Sequence, residues 1–356
     1  MVPKSEELLI LDASDFDTPE APEPLEGIST FHHVWIHPGE FGLYDSNGMP
    51  ILESFLRRGP DLRHYPHGSP KSIYNSTSSS ICGEEMERIV YLPHAGMSHF
   101  GHLLTECAAY LGPLLEHPAG LDGIGGPGAV LVLSPRFAQS SASVAELLGV
   151  PWGRVTSTAS LATPVKCIQA VVPLPSMMNR HSLSRQHFRH VRKLLEHLHG
   201  CGDQLAVLGS KIDQGEKLYL SRSQMPSTAR HTIAEEELEA NLVELGWRIV
   251  FPEQLSISRQ LDRLAAARTV AGCLGSALHL LMAFGESVGN RRVITLGPTA
   301  AQARPNVFLQ ARRQQLPLRH MVCLEQVSAE CKNLRFLLPP AQVASKLNSL
   351  ANDFSW

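Results

Sequence analysis

Short apolar runs of strand length alternate with helical patterns along this chain, and the alternation starts again after a loop of mixed glycine and charge near residue 205. A strand–helix–strand rhythm buries its strands only in a parallel sheet covered by its own helices. Residues 89–92 form a continuous apolar run of buried-strand type. They lead into a loop at 93–98 and a helical pattern with Leu103, Leu104, Cys107, Tyr110, Leu111 and Leu114 on one face. Strands at 129–133 and 167–172 and helices at 143–148 and 183–199 complete the first cycle. The second cycle runs through a strand at 218–220, a helix at 234–245 stopped by Gly246, and a strand at 248–251. A helix at 258–267, a strand at 269–271, a glycine turn, a helix from 277 and a strand at 292–296 follow. A last helix at 341–350 is read as able to return to the first lobe. With 356 residues the chain is long enough for two α/β lobes, expected as 1–205 and 206–356.

Other features narrow the class. Residues 41–52 read as a hairpin turned at Ser46–Asn47–Gly48, because Asn-Gly tolerates positive φ. Residues 63–80 read as an irregular loop. The glycine-rich stretch 120–128 reads as a loop that precedes its strand, which fails the context of a dinucleotide fingerprint. A net charge of −3 gives no concentrated excess of cations for nucleic acid. Seven scattered cysteines without a C-x-x-C pair indicate neither a disulfide framework nor a zinc ribbon. The acidic start, with Glu6, Glu7, Asp12, Asp15 and Asp17, reads as a loose leader rather than a signal peptide. The longest apolar stretch, 270–284, is too short to span a bilayer and is broken by Gly272 and Gly275. The expectation is a cytoplasmic protein, soluble or at most peripheral to a membrane.

The segment 217–284 reads KLYLSRSQ, a basic loop, a glutamate-rich helix, then GWRIVFPEQLSISRQLDRLAAARTVAGCLGSALHLLMAF. Its order of elements and motifs resembles the carboxy-terminal half of glycosyltransferase family 61, the capsular polysaccharide type. The block GMSHFGHLLTECAAYLGPLL is similar to the family's first-lobe motif, and the hairpin at 41–52 is similar to its amino-terminal strands. The resemblance implies two facing Rossmann-like domains of glycosyltransferase-B type, with the donor nucleotide mainly on the second. It implies inverting transfer from a nucleotide-sugar, usually a UDP-sugar, to a polysaccharide, glycan or lipid-linked glycan. Many relatives carry histidine where Leu274 stands. A non-catalytic relative that binds glycan or nucleotide is the alternative. A two-Rossmann NAD-dependent oxidoreductase would need a G-x-G-x-x-G turn after a first strand, which is lacking.

Ser221 and Arg222 stand at the carboxyl end of a strand, where open α/β sheets bind ligands, so Arg222 is the phosphate candidate. A surface arginine paired with a helix glutamate is its plain alternative. Gly275 and Ser276 sit between strand and helix, where N–H groups can approach a diphosphate. Glu253 at the next strand end can hold ribose hydroxyls or favour a helix start, and Ser256 and Gln260 are placed beside it. An inverting transfer needs a base for the acceptor hydroxyl. His102 and Glu106, four apart on one helical face, are the candidates, with capping and packing roles as the plain reading. His99 is assigned to the acceptor side. His99, His102 and Glu106 lack the spacing of the two-histidine helical zinc motif, and no D-x-D pair ends a strand, so no metal cofactor is expected. His32, His33, His37, His187, His190 and His197 are read as solvated polar positions.

Overall fold

The computed structural model describes residues 8–12, 27–58, 63–64, 70–73, 84–97, 99–207, 215–226, 231–285, 291–298, 305–328 and 333–353. Most of the expected loop at 63–80 and most of the acidic leader lie outside the described residues. The chain divides into two compact units, Glu20–Gly200 and Met1–Pro19 with Cys201–Trp356. The first strand, β1 (Leu9–Asp12), pairs antiparallel with a strand of the second unit, so this part of the leader is sheet and not loose chain. Its Asp12 reaches Arg319 at 3.3 Å, which helps fix the register.

The unit of residues 20–200 holds β2 (Gly27–Ile36), β3 (Leu43–Tyr44), a ribbon of β4 (Arg57–Arg58) and β5 (Arg63–His64), and β6 (Glu85–Leu92). After the helices α1 (Phe100–His102), α2 (Ala108–Glu116) and α3 (Gly120–Gly125) come β7 (Val130–Leu133), α4 (Ser141–Leu148), β8 (Val155–Ser157) and β9 (Val165–Leu174). A short hairpin of β10 (Met177–Met178) and β11 (Ser182–Leu183) then leads to α5 (Gln186–His199). The main sheet has the order β3-β2-β9-β6-β7-β8, with β9, β6, β7 and β8 parallel and β2 and β3 antiparallel additions. Alternate side chains Val34, Ile36, Ile89, Tyr91, Val132 and Val172 share one buried cluster. On the other face, Val90 packs against Gly125, where a β-carbon would come within 2.7 Å. The expected glycine-rich loop is therefore partly the helix α3, because Leu121 and Gly125, one turn apart, both bury there.

The turn at 45–49 forms as read, with Asp45 Oδ1 accepting the N–H groups of Asn47 and Met49. Pairing beyond it is a single bridge, Tyr44 to Pro50, since proline lacks the donor and the chain winds into a 3₁₀ turn at Leu52–Ser54. Helix α5 starts at Gln186, three residues later than the apolar pattern suggests, because Ser182–Leu183 is strand. It packs on α2 so closely that a β-carbon on Gly112 would lie 2.1 Å from His190 Cγ. Pro113 inside α2 cannot donate to the carbonyl of Ala109, and the Ser176 N–H approaches that carbonyl at 3.5 Å. His37, His187 and His190 are buried, which corrects their reading as solvated positions; His32, His33 and His197 are exposed. Helix contact between α2 and α5 selects the inward positions that polarity alone could not reveal.

The second unit holds α6 (Gly202–Val207), β12 (Glu216–Leu220), β13 (Thr232–Ile233), α7 (Glu235–Glu244), β14 (Trp247–Val250), α8 (Ile257–Ala266) and β15 (Ala267–Cys273). It continues through β16 (Arg292–Gly297), α9 (Pro305–Gln314), β17 (Leu318–Val322), β18 (Leu324–Gln326), β19 (Leu334–Phe336) and α10 (Pro340–Asn352). Its main sheet runs β1-β17-β16-β15-β12-β14, and every strand but β1 is parallel to its neighbour. The small sheet β13-β19-β18 stands apart from it. Tyr219, Ala271, Ile294 and Met321 share a core with Leu238 and Leu242 of α7 and Val343, Ala344 and Leu347 of α10. The last helix thus covers its own unit's sheet, and the expected return to the first lobe is corrected. Its apolar face finds enough strand surface locally. Among the described residues, no helix is long and apolar enough to cross a membrane. The whole is mixed α/β with parallel sheets.

The α2–α5 contact gives the first prediction. Gly112→Ala forces the His190 ring or α5 to move, and overpacking of this kind costs about 3 kcal/mol. Urea unfolding should read a loss of that order; a loss below about 0.5 kcal/mol would contradict the packing.

Candidate functional site

Two groups of polar side chains collect at strand ends, one in each unit. In the first unit, β6 ends at Leu92 and the chain turns through His94 before the helix begins. Between α1 and α2 the helix widens to a π-turn over Leu103–Cys107, a feature that often marks functional sites. Glu106 lies in that turn, 2 % exposed. Its Oε2 is 2.7 Å from His102 Nδ1 and 3.4 Å from His94 Nε2, and its Oε1 accepts the Asn179 amide at 3.1 Å. His94 Nδ1 accepts the Gly96 N–H, so its proton is assigned to Nε2, facing the carboxylate. A buried carboxylate costs several kcal/mol unless such partners surround it.

The three histidines differ in access. His94 is buried, with its ring centroid 4.3 Å from that of Phe137. The His102 side chain is 42 % exposed while its Nδ1 faces inward to Glu106. His99 precedes the first helical turn, its ring 4.7 Å from that of His102. The structure therefore brings His99, His102 and Glu106 together. It adds His94 and Asn179, which the sequence reading did not single out. His94 had a signal, a polar side chain just past the carboxyl end of a parallel strand. Asn179 had none, being 73 residues from Glu106.

In the second unit the parallel strands, numbered by their sequence, lie in the order 2-1-3-4-5. The order reverses between β12 and β15, and open sheets of this kind bind ligands at that switch point, outside the carboxyl ends. Ser221 and Arg222 follow β12, and Leu274, Gly275 and Ser276 follow β15. A β-carbon on Gly275 would lie 3.2 Å from Arg222 Nη1, so the guanidinium rests against the glycine turn. Gly275 is extended at φ −176°, and close approach rather than backbone strain is what the glycine provides here. Among the described residues the Arg222 guanidinium has no ion pair or hydrogen bond within bonding distance, although Glu235 at the start of α7 is close enough to feel its charge.

Ser221 is fully buried. Its hydroxyl donates to Glu239 at 2.5 Å and accepts the Ser223 N–H at 3.0 Å, so it shapes the turn instead of facing outward. Glu235 at the start of α7 accepts Tyr219 Oη at 2.9 Å and the Arg222 N–H at 3.2 Å. Burial raises its pKa to about 6, partly offset by the Tyr219 hydrogen bond. Ser276 opens a 3₁₀ helix, Ser276–Phe284, where an α-helix was expected. Buried Gln310 and Gln314 of α9 donate to its carbonyls at Leu278 and Leu281, satisfying groups that 3₁₀ geometry turns outward.

Glu253 sits exposed in a 3₁₀ turn, Pro252–Gln254, after β14. Ser256 caps α8 through the Arg259 N–H, and Gln260 donates to the Pro252 and Leu255 carbonyls. Both thus bond to local structure, and Gln260 also lines a small cavity with Leu218, Pro252 and Arg263. Among the described residues no group of three His, Cys, Asp or Glu side chains is arranged to hold a metal ion.

The family model for glycosyltransferase 61 matches residues 100–289, which include α1, the π-turn and the whole β12–β15 switch point. No curated protein matches the chain significantly.

Glu235 yields a prediction with a definite sign. Its folded pKa lies above the unfolded one, so its contribution to stability is fully present below about pH 4.5 and is lost as pH rises through about 6. Glu235→Gln removes that penalty. Its unfolding free energy relative to the native chain should improve by about 2 kcal/mol between pH 4.5 and pH 8. A pH-independent difference would contradict the burial of this carboxyl.

Proposed function

Because the chain belongs to glycosyltransferase family 61, we propose that it moves a sugar with inversion from a nucleotide-sugar, a UDP-sugar by preference, to a polysaccharide or other glycan acceptor. It is a glycosyltransferase by family; the donor, the stereochemistry and the acceptor are the proposed part. So are the glycosyltransferase-B pairing of two Rossmann-like domains, a lipid-linked form of the acceptor and a cytoplasmic location. The supporting observation is the unpaired Arg222 guanidinium against the Gly275 turn at the switch point of a doubly wound sheet. Arg222 would grip the donor diphosphate, with the N–H groups at Gly275 and Ser276 beside it. Ser221 and Glu235 would hold the Arg222 turn, and Glu253 would meet the ribose.

For the base, exposure supports His102 over Glu106. Glu106 is almost fully buried, whereas His102 presents its ring to solvent with Nδ1 turned to the carboxylate. His102 would take the acceptor hydroxyl's proton through Nε2, and Glu106 would orient the ring and stabilise the imidazolium. The acceptor oxygen then attacks the anomeric carbon, the bond to the diphosphate breaks, and Arg222 takes up the charge on the leaving group. His99 would stand on the acceptor side. Positive charge from the protein carries the diphosphate in this reading, so no metal cofactor is invoked.

A thermal-shift panel of nucleoside diphosphates and nucleotide-sugars, with and without chelator, tests the reading. A selective shift with one uridine nucleotide, insensitive to chelator, is expected; a ligand at 100 times its Kd stabilises by about 2.7 kcal/mol. Arg222→Ala should reduce that affinity at least tenfold, and Gly275→Ala, which pushes on the guanidinium, should weaken it several-fold. No shift with any of them would sink the donor assignment, and a shift with glycan or NAD alone would favour a binding module or an oxidoreductase.

A further inference from the structure

The buried histidines of α5 form a hydrogen-bonded relay that ends on an unmatched atom. His187 Nε2 is 2.9 Å from the Leu104 carbonyl, which only accepts, so the proton is on Nε2 and Nδ1 is an acceptor. Ser176 Oγ lies 2.9 Å from that Nδ1 and donates to it. The same oxygen lies 2.8 Å from His190 Nδ1 and must accept there, which puts the His190 proton on Nδ1. His190 Nε2 is then a bare lone pair. It is buried and has no hydrogen-bond partner, and it faces another acceptor, Glu116 Oε2, at 3.7 Å. Burial, with Arg189 adding to it, lowers the His190 pKa to about 4, so at neutral pH protonation does not resolve the conflict.

Glu116 has one donor already, Arg189 Nε at 3.4 Å from its Oε1, so the acceptors that face each other without a donor between them are its Oε2 and His190 Nε2. Both line an open cavity of about 270 Å³, together with Pro113, His117, Leu174 and Ser176. Gly27 and Ile28 at the start of β2 form its rim. The cavity lies about 15 Å along the helix from Glu106, at ten residues' rise. Its chemistry is a pair of adjacent acceptors beside apolar carbon. That pattern matches a saccharide ring, which offers neighbouring hydroxyl donors on its edge and C–H groups on its face.

We propose that this cavity is a second saccharide-binding site, in which adjacent ring hydroxyls donate to His190 Nε2 and Glu116 while the ring packs on Pro113 and Leu174. The choice of saccharide rests on the glycosyltransferase reading, and the site would hold a glycan segment away from the reacting end. It can be tested on the full chain without nucleotide, by calorimetry and saturation-transfer NMR with maltotriose, cellotriose and xylotriose. At least one should bind, and Ile28→Trp, which fills the cavity from its rim, and Glu116→Gln should each weaken it at least fivefold. His102→Ala should leave that binding unchanged. Failure of all three sugars to bind below 10 mM on the scale of weak affinities overturns the site. So does binding that is lost in His102→Ala but kept in Ile28→Trp, an outcome that leaves the transferase reading standing. Displacement of the sugar by tetramethylammonium at equal concentration assigns the acceptors to a cation and overturns it as well. Sugar binding at this cavity in a chain that shows no nucleotide response supports the site and separates its fate from that of the transferase reading.

Discussion

The carboxylate of Glu106 is the group on which the first unit's polar architecture depends. A charge taken out of water must be met by donors, and the nearby backbone is arranged to bring them. The π-turn at Leu103–Cys107 places Glu106 in the buried part of the helix start, β6 delivers His94, and the segment after β9 delivers Asn179. His102 then occupies the one position at this cluster that joins the buried charge to a solvent-facing ring. The proposed use of this histidine as a base rests on that placement: its Nδ1 is 2.7 Å from the carboxylate while the rest of the ring reaches solvent.

In the second unit the proposed binding of negative charge rests instead on sheet topology. Strand order brings the ends of β12 and β15 side by side, and nothing at those ends fills the space with a side chain at Gly275. Arg222 occupies it with an uncommitted guanidinium. The acidic groups nearby are already engaged: Glu239 by the Ser221 hydroxyl and Glu235 by Tyr219 and a backbone N–H. They hold the turn without forming a salt bridge to the arginine. That leaves Arg222 able to pay its charge to a ligand.

Much of this was legible in the sequence because it is local. The strand–helix alternation, the Arg222 and Gly275 turns and the four-residue spacing of His102 and Glu106 all depend on neighbours along the chain. What could not be read depends on distant contacts. His190 looks like a surface residue in a basic helix until Gly112 of α2 is seen to admit its ring. Asn179 becomes a partner of Glu106 only when β9 lies beside β6. The strand in the acidic leader is stabilised by β17, more than 300 residues away, and its own sequence carries too short a pattern to announce it. Composition misled at residues 120–128, where six glycine-rich residues are helical because two of them bury against the sheet.

The division of labour between His102 and Glu106 is the central claim, and single-turnover transfer from the bound donor measures it most directly. His102→Ala should slow the transfer step by about 10²–10⁴-fold, the usual worth of a general base, with nucleotide affinity unchanged. Glu106→Gln should slow it less, since the ring loses the carboxylate that orients it but keeps a nitrogen lone pair for the acceptor's proton. Transfer in His102→Ala within threefold of the native rate, with Glu106→Gln inactive, would contradict the account and make the buried carboxylate itself the base.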